Sequence, residues 1–75
     1  MYYTYVLKLK NRRPSAWYIG YTNDLKRRVL EHQKQWVCRL TYYEAYQSEK
    51  LARDRERKLK YYGSAWRGLM KRITA

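Results

Sequence analysis

Cysteine is almost absent from this chain, since Cys38 is the only one among 75 residues. A single thiol can form no internal disulfide and cannot build a zinc cluster, so a disulfide-stapled secreted scaffold is excluded. We expect Cys38 to be a small apolar residue of the core and the chain to work in the reducing cytoplasm.

Long apolar segments are also absent. No run approaches the roughly 20 residues of a membrane-spanning helix, and the start Met1-Tyr2-Tyr3 lacks the pattern of a signal peptide. We therefore expect a cytoplasmic protein without a membrane partner. The length suits one small domain, residues 1–75, which can bury only about 60% of the surface that the unfolded chain exposes.

Acidic residues are scarce, because six Asp and Glu stand against 18 Lys and Arg and give a formal net charge of +12. A small chain with this charge repels itself unless its partner is a polyanion. Phenylalanine is missing too, but ten tyrosines and three tryptophans supply rings that suit half-buried strands and can stack on bases. Nucleic acid is therefore the leading candidate partner.

The hydrophobic pattern predicts three strands. Residues 2–9 alternate between two faces, and residues 16–21 are apolar again after a basic segment, which is typical of an antiparallel hairpin. Residues 37–46 are rich in β-branched and aromatic side chains and predict a third strand. Together with the helices between and after them, these strands predict an α+β fold: a three-stranded antiparallel sheet flanked by about three helices, in the order β-β-α-β-α-α.

Apolar residues at helical spacing predict the three helices and their inward faces. The first runs from Asn23 to about Trp36, with Thr22 or Asn23 as its N-cap, and its apolar face carries Leu25, Val29 and Trp36. Ser48 caps the second helix, Gly63 ends it, and Ser64 begins the third. The predicted inward residues of the second and third helices are Leu51, Arg55, Leu59, Tyr62, Trp66, Leu69, Met70 and Ile73.

Arg28, His32 and Glu56 are the candidates for chemistry. Arg28 and His32 lie one helical turn apart at the border of the apolar face, where a side chain can be half-buried and still reach a ligand. Glu56 is surrounded by basic residues, and the i,i+4 spacing of Glu56 to Lys60 explains it as a helix salt bridge, like the pairs Asp54 to Lys58 and Glu49 to Arg53. The alternative is a carboxylate that holds a divalent metal beside a phosphate.

Five features occur in a recognisable order. Tyr3-Thr4-Tyr5 and Tyr18-Ile19-Gly20 lie on the first two predicted strands, Arg28 and His32 follow on the first helix, and the second helix carries the segment 52–60 with Glu56 followed by two residues and then Leu and Lys. This arrangement resembles the GIY-YIG nucleases, with Tyr3 in place of the glycine of the first motif. The similarity covers nearly the whole chain and is closest to small stand-alone members related to the incision subunit of bacterial excision repair.

The resemblance implies metal-dependent hydrolysis of phosphodiester bonds in a nucleic acid, with DNA favoured over RNA. Tyr5 or Tyr18 would take the proton from water, provided that nearby positive charge stabilises the phenolate. Arg28 would hold the scissile phosphate with its planar guanidinium, and His32 would hydrogen-bond the phosphate or a tyrosine hydroxyl. Glu56 would hold one Mg²⁺ or Mn²⁺ ion.

Five further residues receive substrate or structural roles from the same resemblance. Gly20 would let the backbone approach the substrate where a Cβ would intrude. The complete supporting set is Tyr3, Gly20, Tyr21, Asn23 and Lys60.

The same resemblance indicates partners besides nucleic acid. Repair or recombination proteins are the expected further partners.

Two other functions stay open at this stage. A basic nucleic-acid-binding module could keep the fold without the chemistry, since binding needs only cations and aromatic rings. A small interaction domain for acidic protein partners would also use the positive charge. The presence of Tyr5, Tyr18, Arg28, His32 and Glu56 together favours the nuclease.

Overall fold

The chain forms three strands and three helices over the residues that the structure, a computed structural model, describes, which are 1–11 and 16–74. In chain order the elements are β1 (Tyr2–Leu9), β2 (Ala16–Thr22), α1 (Leu25–Gln35), β3 (Cys38–Tyr46), α2 (Glu49–Tyr61) and α3 (Gly63–Ile73). This order and the antiparallel sheet confirm the predicted α+β class. Most of the basic segment between β1 and β2 lies outside the described residues.

The sheet has the strand order β2-β1-β3, and both pairings are antiparallel. In this register Tyr5 of the central strand lies opposite Gly20 on β2 and Tyr43 on β3. Thr4 and Val6, which alternation places on the other face of β1, are buried as well. Both faces of the central strand are therefore covered, so its side chains are held in place by packing from two sides.

One apolar cluster lies between the sheet and α1. Leu25 and Val29 of α1 and Trp36, the C-cap of this helix, pack against it, as the helical spacing predicted. Burial of Cys38 in the same cluster confirms its predicted role in the core. The buried members of the cluster are Tyr5, Leu7, Leu9 and Cys38.

A second cluster lies on the opposite face of the sheet, under α2 and α3. Trp66 and Ile73 of α3 pack against it as predicted, whereas Met70, predicted for the same face, lies half-buried outside it. Its buried members are Val6 of β1, Leu59 of α2 and Leu69 of α3. None of the helices in the described part of the chain is long and apolar enough to cross a membrane.

The start of α1 differs from the prediction. The N-cap is Asp24, whose Oδ1 accepts a hydrogen bond from the backbone N–H of Arg27 at 3.1 Å, and the helix begins at Leu25. Thr22, one of the two predicted caps, is still part of β2, and its hydroxyl accepts from the backbone N–H of Asp24 at 3.0 Å. The strand runs one residue further than predicted, which shifts the helix start by two residues.

The inward face of α2 was also predicted wrongly in part. Leu51 and Tyr62 are more than half exposed, whereas Ala52 and Leu59 are buried. The small side chain of Ala52 lets the helix backbone approach β1 so closely that the Thr4 hydroxyl donates to the Ala52 carbonyl at 2.7 Å. Because of this contact, α2 turns Ala52 toward the sheet, and the larger Leu51 beside it stays more than half exposed.

The break between α2 and α3 lies at Tyr62, which has an extended backbone with φ −114° and ψ 104°. Gly63 is the first residue of α3, so the prediction that it ends α2 was wrong. None of the described glycines has a positive φ, so no glycine forms a left-handed C-cap in this part of the chain.

Candidate active site

Tyr5 and His32 form a buried polar pair at the centre of the site. Tyr5 is 1% exposed and His32 is 4% exposed. The Tyr5 hydroxyl and Nε2 of His32 share a hydrogen bond of 2.8 Å, in which the tautomer of the imidazole decides the donor. Two groups that would be costly to bury alone thus satisfy each other. Of the two predicted partners for His32, the structure shows the tyrosine hydroxyl.

Tyr18 completes an aromatic cluster with this pair. Its ring centroid lies 6.2 Å from that of Tyr5 and 4.7 Å from that of His32. Trp36 stacks on His32 with centroids 5.1 Å apart and an interplanar angle of 13°. Trp36 was predicted only as a core residue, although its i,i+4 spacing from His32 already placed the two rings on one side of α1.

Gly20 makes room for Tyr5. A Cβ on Gly20 would lie 2.6 Å from the Tyr5 hydroxyl oxygen, 2.7 Å from its Cζ and 3.0 Å from Cε1 of Tyr18. These are distances that real Cβ atoms do not reach without displacing a neighbour. The group that approaches Gly20 is therefore the Tyr5 ring, whereas the approach of a substrate to Gly20 stays a prediction.

The surroundings of Tyr5 disfavour its phenolate. Burial, and next the proximity of Tyr18, raise the pKa of Tyr5 to about 12, while the positive charge of Arg28 acts in the opposite direction. For Tyr5, the positive charge of Arg28 does favour the phenolate, as expected, but burial outweighs it. Burial, followed by the charge of Arg28, also lowers the pKa of His32 below 6.5, so the imidazole is neutral at neutral pH.

Arg28 lies at the border of the apolar face of α1, as predicted, and its guanidinium is partly exposed. Its Nη1 donates to Oε1 of Glu31 at 3.3 Å. The bond to Glu31 is the largest cause that raises the Arg28 pKa, and Tyr5 and Tyr18 contribute further. Arg28 is thus near both tyrosines. Glu31 was missed, although its i,i+3 spacing from Arg28 was visible in the sequence.

Glu56 lies on α2 in a polar pocket of about 420 Å³. Its carboxylate is 20% exposed and lies 3.5 Å from Nζ of Lys60, so the predicted salt bridge forms. The negative charge of Glu56 also reaches Tyr5, whose pKa it helps to raise. The other residues that line this pocket are Tyr21, Arg53, Asp54, Arg57, Lys60 and Tyr61.

The neighbouring salt bridges on α2 were predicted in part. Glu49 pairs with Arg53 at 3.5 Å, as expected. Asp54 pairs with Arg57 at 3.9 Å, so its predicted partner Lys58 was wrong. On a helix, an acidic side chain can reach a cation three or four residues further along the chain. Asp54 has Arg57 at the first spacing and Lys58 at the second.

The residues present fit a metal only in a limited way. Among the residues that the structure describes, no group of three or more His, Cys, Asp or Glu side chains could hold a metal ion. Glu56 offers one carboxylate. A magnesium ion is commonly bound by one or two carboxylates together with waters and substrate phosphates, so Glu56 fits an ion whose shell the substrate completes.

Two of the supporting residues lie elsewhere. Tyr3 and Asn23 line a separate pocket of about 580 Å³ between α1 and β3, where Leu25 and Tyr43 are also found. Tyr21 and Lys60, in contrast, line the pocket of Glu56. The structure therefore brings Tyr5, Tyr18, Gly20, Arg28 and His32 together, places Glu56 with Tyr21 and Lys60 in a pocket on α2 from which its charge reaches Tyr5, and separates Tyr3 and Asn23 from both groups.

Comparisons of the chain with protein-family models, with curated proteins and with solved structures gave no match.

Proposed function

We propose that this chain is a metal-dependent endonuclease of the GIY-YIG type that hydrolyses phosphodiester bonds in DNA. One observation supports this most directly: Tyr5, Tyr18 and His32 form one cluster, and the charges of Arg28 and Glu56 both act on the Tyr5 hydroxyl. Residues of three other elements thus act on Tyr5 of β1. A domain that only bound phosphate would need cations and aromatic rings but no such convergence.

Arg28 is the phosphate-binding residue of this proposal. Its present partner Glu31 is about half exposed, and exposed ion pairs contribute only about 0–1 kcal/mol, so a phosphate can replace the carboxylate. The guanidinium can then donate two parallel hydrogen bonds to phosphate oxygens. Charge that develops on those oxygens in the transition state strengthens the contact.

The two tyrosines receive different roles. Tyr5 is buried, bonded to His32 and raised in pKa to about 12, so it serves to orient His32 and the site. Tyr18 is only half-buried and, as its phenolate, takes the proton of the attacking water. The water oxygen forms a bond to phosphorus as the bond from phosphorus to the leaving sugar oxygen breaks, and that oxygen takes a proton from solvent.

Glu56 would hold Mg²⁺ or Mn²⁺, with Lys60 fixing the carboxylate. A bound divalent ion polarises a phosphoryl oxygen and offsets negative charge in the transition state. Tyr21 borders the same pocket. Because it follows Gly20 on β2, this strand links the pocket of Glu56 to the tyrosine cluster.

Replacing Glu56 tests the proposal. With labelled single-stranded, duplex, flapped and junction DNA, we expect Mn²⁺-dependent cleavage by wild type and a loss of about 100-fold or more in Glu56→Gln. Affinity measured in chelator should be unchanged or slightly higher, since a negative charge near phosphate is removed. Glu49→Gln removes the same charge from an exposed pair on the same helix and should cleave normally.

A nuclease role for Glu56 would be refuted by wild-type cleavage in Glu56→Gln. A second variant, Arg28→Lys, keeps the charge but loses the planar fork, and it should reduce turnover of bound substrate more than affinity.

The second candidate is a basic nucleic-acid-binding module without chemistry. Each of the six carboxylates lies within 3.1 to 3.9 Å of a Lys or Arg. The remaining Lys and Arg side chains of the described residues have no carboxylate to neutralise them, and they can attract nucleic acid whether or not the site is catalytic. Binding to all four substrates without cleavage under any metal would favour this module.

A further inference from the structure

The pocket of Glu56 has an exposed aromatic wall for which the roles above give no use. Tyr61, the last residue of α2, is 76% exposed, the highest value among the large apolar and aromatic side chains of the described chain. It contributes little to the core. A ring held at a helix end beside cations is, however, a suitable surface for a nucleic-acid base.

We propose that this pocket binds an unpaired nucleotide, with the base stacked on Tyr61 and the phosphate held by Arg57 and Lys60. The inference rests on the proposed nuclease function, because it names the substrate class of the same site: DNA with a single-stranded segment next to the cleaved bond.

The charges of the pocket suit a phosphate. Arg53, Arg57 and Lys60 stand against the carboxylates of Asp54 and Glu56, so the lining is net positive. Arg57 is 72% exposed, and its contact with Asp54 is long, at 3.9 Å. Such exposed pairs contribute little, so a phosphate can take the place of the carboxylate as partner of Arg57.

Stacking on Tyr61 selects an unpaired base. Inside a duplex, both faces of a base are covered by its neighbours, and exposing one face costs a few kcal/mol. An unpaired base avoids this cost and can gain about 1–3 kcal/mol from an aromatic partner. The pocket volume of about 420 Å³ falls within the range of roughly 300–1,000 Å³ that small ligands occupy.

The test compares affinities for a flapped DNA and a fully paired DNA of equal length, in chelator, so that no cleavage occurs. We expect Tyr61→Ala to lose about 10-fold in affinity for the flap and to bind the duplex as wild type does. Tyr61→Phe keeps the ring and should keep the preference. Tyr62→Ala is the matched control, since Tyr62 is also exposed but does not line the pocket.

Equal effects of Tyr61→Ala on both DNAs, or no effect on either, would overturn the inference. Thermal unfolding of each variant shows that the fold is kept. Cleavage is then measured on the same proteins with Mn²⁺. If the wild-type protein binds the flapped DNA more tightly because of Tyr61 but cleaves neither DNA, the nuclease proposal is disproved and the stacking site is supported. The failure of one proposal can thus be told from the failure of the other.

Discussion

At the scale of single residues, Tyr5 shows how one position serves packing and chemistry together. Its ring fills the space that Gly20 leaves opposite it, and its hydroxyl satisfies the buried His32. The same burial that fixes the ring raises its pKa to about 12. A residue held this firmly orients its neighbours well but is a poor base. We therefore assign the role of the base to Tyr18.

Gly20→Ala tests this packing. The added methyl group would meet the Tyr5 ring at under 3 Å, and that ring is enclosed on all sides, so we expect a loss of about 1–3 kcal/mol in the free energy of unfolding. Gly68→Ala is the control, because open space surrounds Gly68 in α3 and alanine should add about 0.5–1 kcal/mol there. Urea unfolding of both variants measures the difference. Equal stability of Gly20→Ala and wild type would show that Tyr5 can move aside.

At the scale of elements, a partly buried ionic network joins β3 to α2. Glu44 accepts hydrogen bonds from the hydroxyl of Tyr42 at 2.6 Å, from that of Tyr46, and from Nε of Arg55 at 3.1 Å. Arg55 is the neighbour of Glu56 in α2. The network therefore holds the helix that carries the proposed metal ligand in a fixed position against the sheet.

Removing Glu44 should destabilise the fold and change its response to acid. Burial raises the Glu44 pKa, but the bonds from Tyr42, Tyr46 and Arg55 outweigh it, so the pKa lies below 4.5. The carboxylate thus stabilises the fold fully above about pH 4.5, and this contribution is lost as the pH falls through the lower folded-state pKa. We expect Glu44→Gln to cost about 2–4 kcal/mol at neutral pH and less in acid.

Thermal unfolding across the acid range measures this contribution. The control is Glu49→Gln, which breaks an exposed pair and should change stability by no more than about 0.5 kcal/mol. A Glu44→Gln variant with the same stability and acid response as wild type would contradict the role of the network.

At the scale of the whole molecule, charge dominates. The chain measures 34 × 29 × 20 Å and carries a formal net charge of +12. The six carboxylates are all engaged in ion pairs, and five of these pairs join residues three or four positions apart in the sequence. Positive potential therefore extends over the surface, and long-range attraction to a polyanion follows from the composition alone.

Binding to DNA should accordingly depend steeply on salt and little on sequence. If six phosphates are neutralised, affinity should fall by about 1,000-fold between 50 and 200 mM salt, because the counterions released on binding set the slope. Fluorescence anisotropy with duplexes of unrelated sequence measures it. If the affinity did not change with salt concentration, a polyanion would be excluded as the partner, both for the nuclease and for the binding module.

The sequence by itself determined the order of the elements and the residues of the α1 face. Alternation in β1, helical spacing of Leu25, Val29 and Trp36, and the Ser48 cap are local signals, and the structure confirms each of them. Composition likewise determined the net charge and excluded an internal disulfide. Local patterns suffice here because propensity, periodicity and capping act over a few residues.

Only the tertiary structure decided which residues meet across elements. The bond between Tyr5 and His32 spans 27 residues, and the one between Thr4 and Ala52 spans 48. No local signal encodes such contacts, so the sequence misplaced the inward face of α2 and misjudged the environment of Tyr5. Burial on both faces of a central strand comes from the packing of distant helices, and that packing rather than nearby charge sets the protonation of Tyr5.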